Sequence, residues 1–305
     1  MTPIVHHPAY VARDVPASHR FPMGKFRAVA ERVIEAGLVA DWDGFHQPIP
    51  APAAWLETAH SGAYVDQVLT QNVPADLERR IGFKMTEPVA TRSRCAVAGT
   101  VLAARLALEH GAACNTAGGS HHAGRDGGAG FCVFNDVAVA AKLLTGEGAV
   151  RRVLVVDLDV HQGDGTARIF ETDPEVFTLS VHCEENWPRR KAVSDMDVGV
   201  TKGAGDEAYL RIARAAVEEA LDASRPDLVF FNAGVDPHRD DRLGLLDLTD
   251  QGLARREAMV FEAVMRRGAP VCGVLGGGYS RDLDALSRRH ALLHNAAADA
   301  LKTFA

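Results

Sequence analysis

Apolar runs and amphipathic stretches alternate along the chain from about residue 93 onward. A helical pattern over residues 93–110 precedes an apolar strand over 112–117, a glycine-rich loop and a second helix over 135–144. The clearest strand is 153–160, whose continuous apolar run is typical of a strand buried on both faces of a parallel sheet. This order predicts an α/β fold of the doubly wound type.

Further strands and helices continue the alternation. The predicted strands cover residues 176–181, 228–232 and 271–275, and the predicted helices cover 207–223, 249–267 and 283–301. The first 90 residues are less regular, with prolines at 48, 50 and 52 ahead of an apolar stretch at 55–69. Because no linker or repeat interrupts the pattern, we expect a single domain over residues 1–305.

Composition and charge exclude several classes of protein. With 47% hydrophobic and 24% charged residues, the chain has ample apolar material for a buried core. A formal net charge of -7 argues against nucleic acid as a partner, and the short basic run at 189–191 is typical of a solvated loop. The five cysteines are scattered and form no C-x-x-C pair, so neither a disulfide framework nor a cysteine zinc site is predicted.

The location predicted from the sequence is the cytoplasm. Residues 1–10 lack a basic segment followed by an apolar run, and no stretch approaches the roughly 18 apolar residues of a membrane span. We therefore expect no membrane as a partner.

Polar residues and glycines gather where four of the predicted strands end. These segments are 118–122 (GGSHH), 157–164 (DLDVHQGD), 232–236 (NAGVD) and 276–279 (GGGY). Because ligands bind at the carboxyl ends of the strands in open parallel sheets, we expect the four segments to form one site.

The DLDVH segment predicts half of a metal site. Residues two apart in a strand point the same way, so Asp157, Asp159 and His161 would face one side of the sheet. A catalytic zinc site usually has three protein ligands, and Asp236 is the best third ligand for Asp159 and His161. The alternatives are a buried hydrogen-bond network and, for Asp236, a helix cap or turn.

Adjacent histidines in a glycine-rich loop could place two imidazoles beside one reacting group. His121 and His122 would each need an orienting carboxylate, and both Asp157 and Asp164 are available. An exposed histidine pair is the alternative. Tyr279 ends a glycine run that suits a loop approaching a substrate closely and offering a hydroxyl donor.

These segments together resemble the histone deacetylase superfamily, and most closely the class IV enzymes and their bacterial homologues. The ordered motifs are GGSHHA at 118–123, GGAGFCVFND at 127–136, DLDVHQGDG at 157–165, FNAGVD at 231–236 and GGGY at 276–279. The resemblance implies the arginase-deacetylase fold, a single-domain parallel sheet of about eight strands flanked by helices. It also implies Zn²⁺, with Fe²⁺ as an alternative, held by Asp159, His161 and Asp236.

The resemblance further implies a zinc-dependent amidohydrolase that removes an acyl group from lysine or a related amine. His122 would be the general base and acid, with His121 supporting the charge, and Tyr279 together with the metal would stabilise the oxyanion. Asp157 would orient His121, and Asp164 would orient His122. A structural K⁺ would lie near Asp157, Ser180 and Val181, and the substrate channel would be lined by Gly130, Phe131 and Trp187.

Two departures from the family pattern and two alternative functions accompany this hypothesis. Gln162 stands where many deacetylases have a second histidine, a feature of the class IV pattern. Segment 82–94 has no clear counterpart of the aspartate that holds the acyl-lysine backbone, although Glu87 is a candidate.

The substrate is therefore open between an acyl-lysine peptide and a small acylated amine, and acyl length and oligomeric state are also open. An arginase-like ureohydrolase with two manganese ions and a non-catalytic acyl-amine sensor are the alternative functions.

Overall fold

Seven parallel strands form one sheet in the computed structural model, which describes residues 2–304. The strands are β1 (Ile4–Val5), β2 (Ala112–Asn115), β3 (Val153–Asp157), β4 (Val176–Cys183), β5 (Met196–Val200), β6 (Leu228–Asn232) and β7 (Val271–Val274). Their order across the sheet is β1-β2-β7-β6-β3-β4-β5. Strands β3 and β6 are buried along their whole length, because helices cover both faces of the sheet.

Ten α-helices accompany the sheet in residues 2–304. They are α1 (Lys25–Glu35), α2 (Ala53–Leu56), α3 (Gly62–Leu69), α4 (Ala75–Ile81), α5 (Glu87–His110), α6 (Asp136–Gly146), α7 (Asp164–Phe170), α8 (Asp206–Ser224), α9 (Asp250–Met265) and α10 (Leu283–Phe304). Within those residues, no helix is long and apolar enough to span a bilayer.

Side-chain caps fix the starts of three helices. Thr86 accepts a hydrogen bond from the backbone of Val89 at the start of α5, and Asn135 accepts one from Ala138 at the start of α6. Thr249 does the same for α9. Each cap satisfies one of the backbone N–H groups that have no partner within the helix.

The predicted α/β architecture is confirmed, with differences at the sheet edges and in strand number. The expected count of about eight strands is corrected to seven in the described part of the chain. Neither edge strand was predicted: β1 has two residues, and β5 alternates between exposed and partly buried positions, so neither forms an apolar run. Helix α5 begins six residues before the predicted residue 93, at the Thr86 cap.

A buried ion pair on α9 braces the carboxyl ends of β3 and β6. Arg256 Nη1 donates hydrogen bonds to the carbonyl oxygens of Leu158 (3.0 Å) and Gly234 (2.8 Å). The same guanidinium binds both carboxylate oxygens of Glu257, at 2.6 and 2.9 Å. Both side chains are fully buried, so the pair ties the backbone just after the two strands to a helix behind the sheet.

Candidate active site

Three buried side chains from two strand ends bring their ligand atoms together. Asp159 and His161 follow β3, Asp236 follows β6, and their ligand atoms lie within 4.8 Å of one another. His161 Nδ1 is 3.1 Å from Asp159 Oδ1 and 3.1 Å from Asp236 Oδ2. In a tetrahedral zinc site with bonds of about 2.0–2.2 Å, the ligand atoms lie roughly 3.4 Å apart. The donor set and its spacing therefore fit one such ion.

Backbone groups hold the two carboxylates from outside this cluster. Gly277 N–H donates to Asp159 Oδ2 at 2.7 Å, and Val160 N–H donates to Asp236 Oδ1 at 2.9 Å. A Cβ at Gly277 would lie 2.6 Å from Asp159 Oδ2 and closer still to Asp236 Oδ2. Glycine is required there because any side chain would displace the carboxylates.

The two carboxylates differ in their proton affinity. Burial favours the neutral form of Asp159, but the neighbouring His121 and His161 outweigh it and lower its pKa well below the usual value. Burial, together with the charge of Asp159, raises the pKa of Asp236 to about 7. Burial also opposes charge on His161, but its hydrogen bonds to Asp159 and Asp236 raise its pKa to about 10. The cluster thus attracts a positive charge between its ligand atoms.

The histidine pair lies in the loop after β2, and each imidazole has its own carboxylate. His121 Nδ1 is 2.6 Å from Asp157 Oδ2, and His122 Nδ1 is 2.7 Å from Asp164 Oδ1. Each carboxylate accepts the Nδ1–H, so the two Nε2 atoms do not bind the carboxylates and instead lie within hydrogen-bond distance of each other. They lie 3.0 Å apart.

Their surroundings push the two imidazoles towards opposite protonation states. Burial disfavours charge on His121, but Asp157 and Asp159 outweigh it and raise its pKa to about 9. Burial and the neighbouring His121 lower the pKa of His122 to about 3, against the influence of Asp164. Two groups with separated pKa values can act as a proton donor and a proton acceptor at neutral pH.

Further contacts fix the orienting carboxylates. Asn232 Nδ2 donates to Asp157 Oδ1 at 2.9 Å, and the backbone N–H of Asp159 donates to the same oxygen at 3.2 Å. On the other side, Arg168 Nη1 lies 2.5 Å from Asp164 Oδ2. No role in the site was predicted from the sequence for Asn232 or Arg168. The position of Asn232 in the FNAGVD motif, at the end of a predicted strand, was the signal for it.

Tyr279 is 7% exposed and lies beside the cluster, with its ring centroid 6.3 Å from that of His161. Burial and the nearby carboxylates Asp159 and Asp236 raise the pKa of its hydroxyl well above the usual value. The phenol therefore stays protonated and can donate a hydrogen bond. Lys25, also missed by the sequence analysis, is fully buried with Nζ 5.9 Å from the Tyr279 ring centroid.

Aromatic side chains flank the histidines and the tyrosine. The Phe131 ring centroid is 5.7 Å from that of Tyr279, and the Trp187 ring meets His122 edge-on at 4.3 Å. Gly130 lies between these walls, since a Cβ there would be 2.7 Å from His122 Cδ2 and 3.2 Å from Trp187. Trp187 is 42% exposed, so this wall reaches the surface.

Two further sequence hypotheses can be placed. Asp157 and Ser180 are direct neighbours across β3 and β4, with Val181 next along the strand. The Ser180 hydroxyl contacts His182 Nδ1 at 3.0 Å. In segment 82–94, Glu87 lies in the first turn of α5 and accepts a hydrogen bond from the Thr91 hydroxyl at 2.6 Å.

Comparison with known proteins gives a consistent set of relatives. Residues 19–295 match the family described as Histone deacetylase domain. An uncharacterized protein of Picosynechococcus sp. is 48% identical over 297 residues, covering 97% of this chain and 98% of the relative. Histone deacetylase 2 of Arabidopsis thaliana is 30% identical over 272 residues, covering 86% of this chain and 70% of that protein.

An archaeal relative and a solved structure extend the similarity. A probable deacetylase of Methanothermobacter thermautotrophicus is 31% identical over 300 residues, covering 93% of this chain and 87% of the relative. The crystal structure of the HDA15 HD domain superposes with a TM-score of 0.81 at 25% identity. The superposition covers 99% of this chain and 91% of the HDA15 chain.

Proposed function

Because the chain belongs to the histone deacetylase family, and so to a family of hydrolytic deacetylases, we propose that it is a zinc-dependent amidohydrolase of acylated amines. Water cleaves the amide bond, which gives a free amine and a carboxylate. The substrate is an acyl group on the ε-amine of lysine, in a peptide, or on a related small amine.

The observation that carries this proposal is the pairing of two histidine–carboxylate couples with one three-ligand cluster. His121 Nε2 is 3.8 Å from Asp159 Oδ1, so the couples directly adjoin the cluster. A separate carboxylate for each imidazole supports two distinct roles, proton transfer by His122 and charge support by His121. The two Nε2 atoms are 3.0 Å apart, within hydrogen-bond distance, and this places two imidazoles side by side next to the cluster, which a purely structural network does not require.

The side chains divide the reaction between them. Asp159, His161 and Asp236 would hold the zinc, which would supply Lewis-acid polarisation of the acyl carbonyl and a lowered pKa of water when bound. His122 Nε2 accepts the proton of the attacking water and then donates it to the leaving nitrogen, while Asp164 holds the Nδ1 proton. His121, charged beside Asp157, supports the developing charge, and the Tyr279 hydroxyl, together with the ion that the three ligands would hold, stabilises the oxyanion.

The aromatic walls of the site favour a substrate with a narrow, extended apolar segment over a bulky substrate. Phe131 and Trp187 flank the site, and the 42% exposure of Trp187 supports an entrance on its side. The methylene stem of acyl-lysine is a narrow apolar chain that suits such walls. The resemblance of DLDVHQGDG to class IV enzymes makes a long-chain acyl group the substrate to compare with acetyl.

Release of free amine from fluorogenic acetyl-lysine and fatty-acyl-lysine peptides tests the proposal. The zinc-loaded protein should hydrolyse at least one of them, and His122→Gln should lower kcat by roughly 100-fold or more. His110→Gln is the matched control, because that histidine is half exposed at the end of α5, outside the site. Binding of the peptides without release of amine would instead support the acyl-amine sensor.

The metal content separates this proposal from the ureohydrolase alternative. The described residues bring together one group of three ligands, which supports one zinc per chain. Two manganese ions per chain, with urea released from a guanidino substrate, would overturn the proposal. Loading with Fe²⁺ in place of Zn²⁺ identifies the more active ion. A dependence of activity on K⁺ over Na⁺ tests the potassium site near Asp157, Ser180 and Val181.

A further inference from the structure

The loop that carries Tyr279 is held in place by its hydrogen bonds. Three glycines precede Tyr279 and contribute no side chains to packing. Gly276 N–H donates to Gly118 O at 3.2 Å, and its carbonyl accepts from Lys25 Nζ at 3.0 Å. The Gly277 carbonyl accepts from Val235 N–H at 2.8 Å. These bonds hold the backbone of Gly276 and Gly277. The backbone N–H of Tyr279 binds a different partner.

That partner is Asp241, a partly buried carboxylate in the loop after Asp236. Its Oδ2 accepts a hydrogen bond from Tyr279 N–H at 2.7 Å. Its Oδ1 accepts from Leu243 N–H at 2.8 Å and from Gly244 N–H at 3.1 Å. One carboxylate therefore closes its own loop with one oxygen and holds the tyrosine backbone with the other.

We infer that Asp241 is a positioning residue that sets the Tyr279 hydroxyl over the reaction centre. This inference rests on the proposed function, in which that hydroxyl stabilises the oxyanion. A charge-assisted hydrogen bond to the backbone restrains the origin of the side chain, and packing against Phe131 and Phe21 restrains the ring. Asp241 lies in the same loop as Asp236. The contact between Asp241 and Tyr279 therefore sets the position of the tyrosine relative to the proposed metal ligand Asp236.

Asp241→Asn separates the two tasks of this carboxylate. The amide oxygen of asparagine should turn towards the two donors, Leu243 N–H and Gly244 N–H, which keeps the loop closed. The amide NH₂ then faces Tyr279 N–H, where two donors oppose each other. The variant thus removes the contact with Tyr279 and conserves the loop that carries Asp236.

A double-mutant cycle with Tyr279→Phe tests the inference on the zinc-loaded protein. In the wild-type background, Asp241→Asn should lower kcat by roughly 10- to 100-fold with KM changed by less than about threefold, because a misplaced donor acts in the transition state. In the Tyr279→Phe background, the same substitution should change kcat by less than about threefold. Zinc per chain should stay at the wild-type value in all variants.

Asp247→Asn is the matched control, since Asp247 is an exposed carboxylate nearby that pairs with Arg239. It should leave kcat unchanged. Unchanged kcat in Asp241→Asn, or an equal loss of kcat in both backgrounds, would overturn the inference. If Asp241→Asn does not fold, Asp241→Glu enters the same cycle, because it keeps a carboxylate for the loop but displaces it from Tyr279.

A second measurement separates failure of this inference from failure of the proposed function. Hydrogen exchange of the Tyr279 amide should be at least about tenfold faster in Asp241→Asn than in the wild type, whatever reaction the protein catalyses. Unchanged exchange would overturn the inference. A wild-type protein without deacylase activity, or a fully active Tyr279→Phe, would instead refute the proposed function or the tyrosine's role in it.

Discussion

Adding one methyl group at Gly277 should damage the metal site without unfolding the protein. The Cβ of Gly277→Ala would lie 2.6 Å from Asp159 Oδ2 and closer to Asp236 Oδ2, whereas a packed Cβ atom is hardly ever nearer than 3.0 Å to another atom. Both carboxylates must therefore retreat by at least about 0.4 Å, beyond the roughly 0.2 Å tolerance of zinc–ligand distances. The backbone of Gly277 is not left-handed, so the steric effect acts alone.

We expect zinc affinity to fall by roughly 100-fold, which is the upper end of the loss seen when the groups that hold metal ligands in place are mutated. A competition titration against a chromophoric chelator measures the affinity, and thermal unfolding of the metal-free proteins measures the fold. Gly146→Ala is the control, because its Cβ would meet nothing within 4 Å and its φ is not positive. That variant should bind zinc as the wild type does.

One result would refute the reasoning. If Gly277→Ala binds zinc as tightly as Gly146→Ala does, then Asp159 and Asp236 do not hold the ion as a pair. A loss of stability in metal-free Gly277→Ala that matches its loss of zinc would point to a damaged fold instead of a damaged site.

Three further predictions concern the surroundings of the site. Asp164→Asn should lower kcat by roughly 10- to 100-fold at unchanged zinc content, because an amide does not fix the His122 proton on Nδ1; unchanged steady-state kinetics would contradict this. Trp187→Ala should raise KM for acyl-lysine peptides by roughly fivefold and leave zinc affinity unchanged in the same titration. His60 bonds Gly124 O and Asn135 N through its two ring nitrogens, and burial lowers its pKa to about 4. The stability that neutral His60 contributes is complete above about pH 6.5 and falls by roughly 3 kcal/mol towards pH 4, because only the unfolded chain takes up the proton readily in that range. The free energy of unfolding, measured with urea, should therefore fall less between pH 6.5 and pH 4 in His60→Gln than in the wild type.

The buried strands were predictable because their sequences carry one unambiguous pattern. β6 spans Leu228–Asn232, the predicted residues, since an apolar run flanked by turn residues has few other interpretations. The edge strand β5 has the sequence MDVGV with alternating exposure, a pattern too short and polar to detect. Helix α7 (Asp164–Phe170) was missed because the glycines around Asp164 favour a turn.

The candidate site was predictable where motif residues approach one another through strand ends. The sequence indicated that the segments with His121, Asp157 and Asp236 would meet, because parallel strands end at the same edge of a sheet. It could not assign Asp241 or Lys25. Their roles depend on distances to Tyr279 and Gly276, which lie 38 and 251 positions away in the sequence. No local pattern encodes such contacts.

The buried Arg256–Glu257 pair would affect how zinc enters the proposed site. Arg256 ties the carbonyls of Leu158 and Gly234, which lie next to the ligand-bearing segments, to helix α9 through bonds that involve no metal ion. These bonds would hold the ligand-bearing segments before an ion binds, unlike sites in which the ion drives folding. At the proposed zinc site, loading and exchange would then be ligand substitution among side chains already in place, so we expect the folded protein to exchange one divalent ion for another as their supply changes.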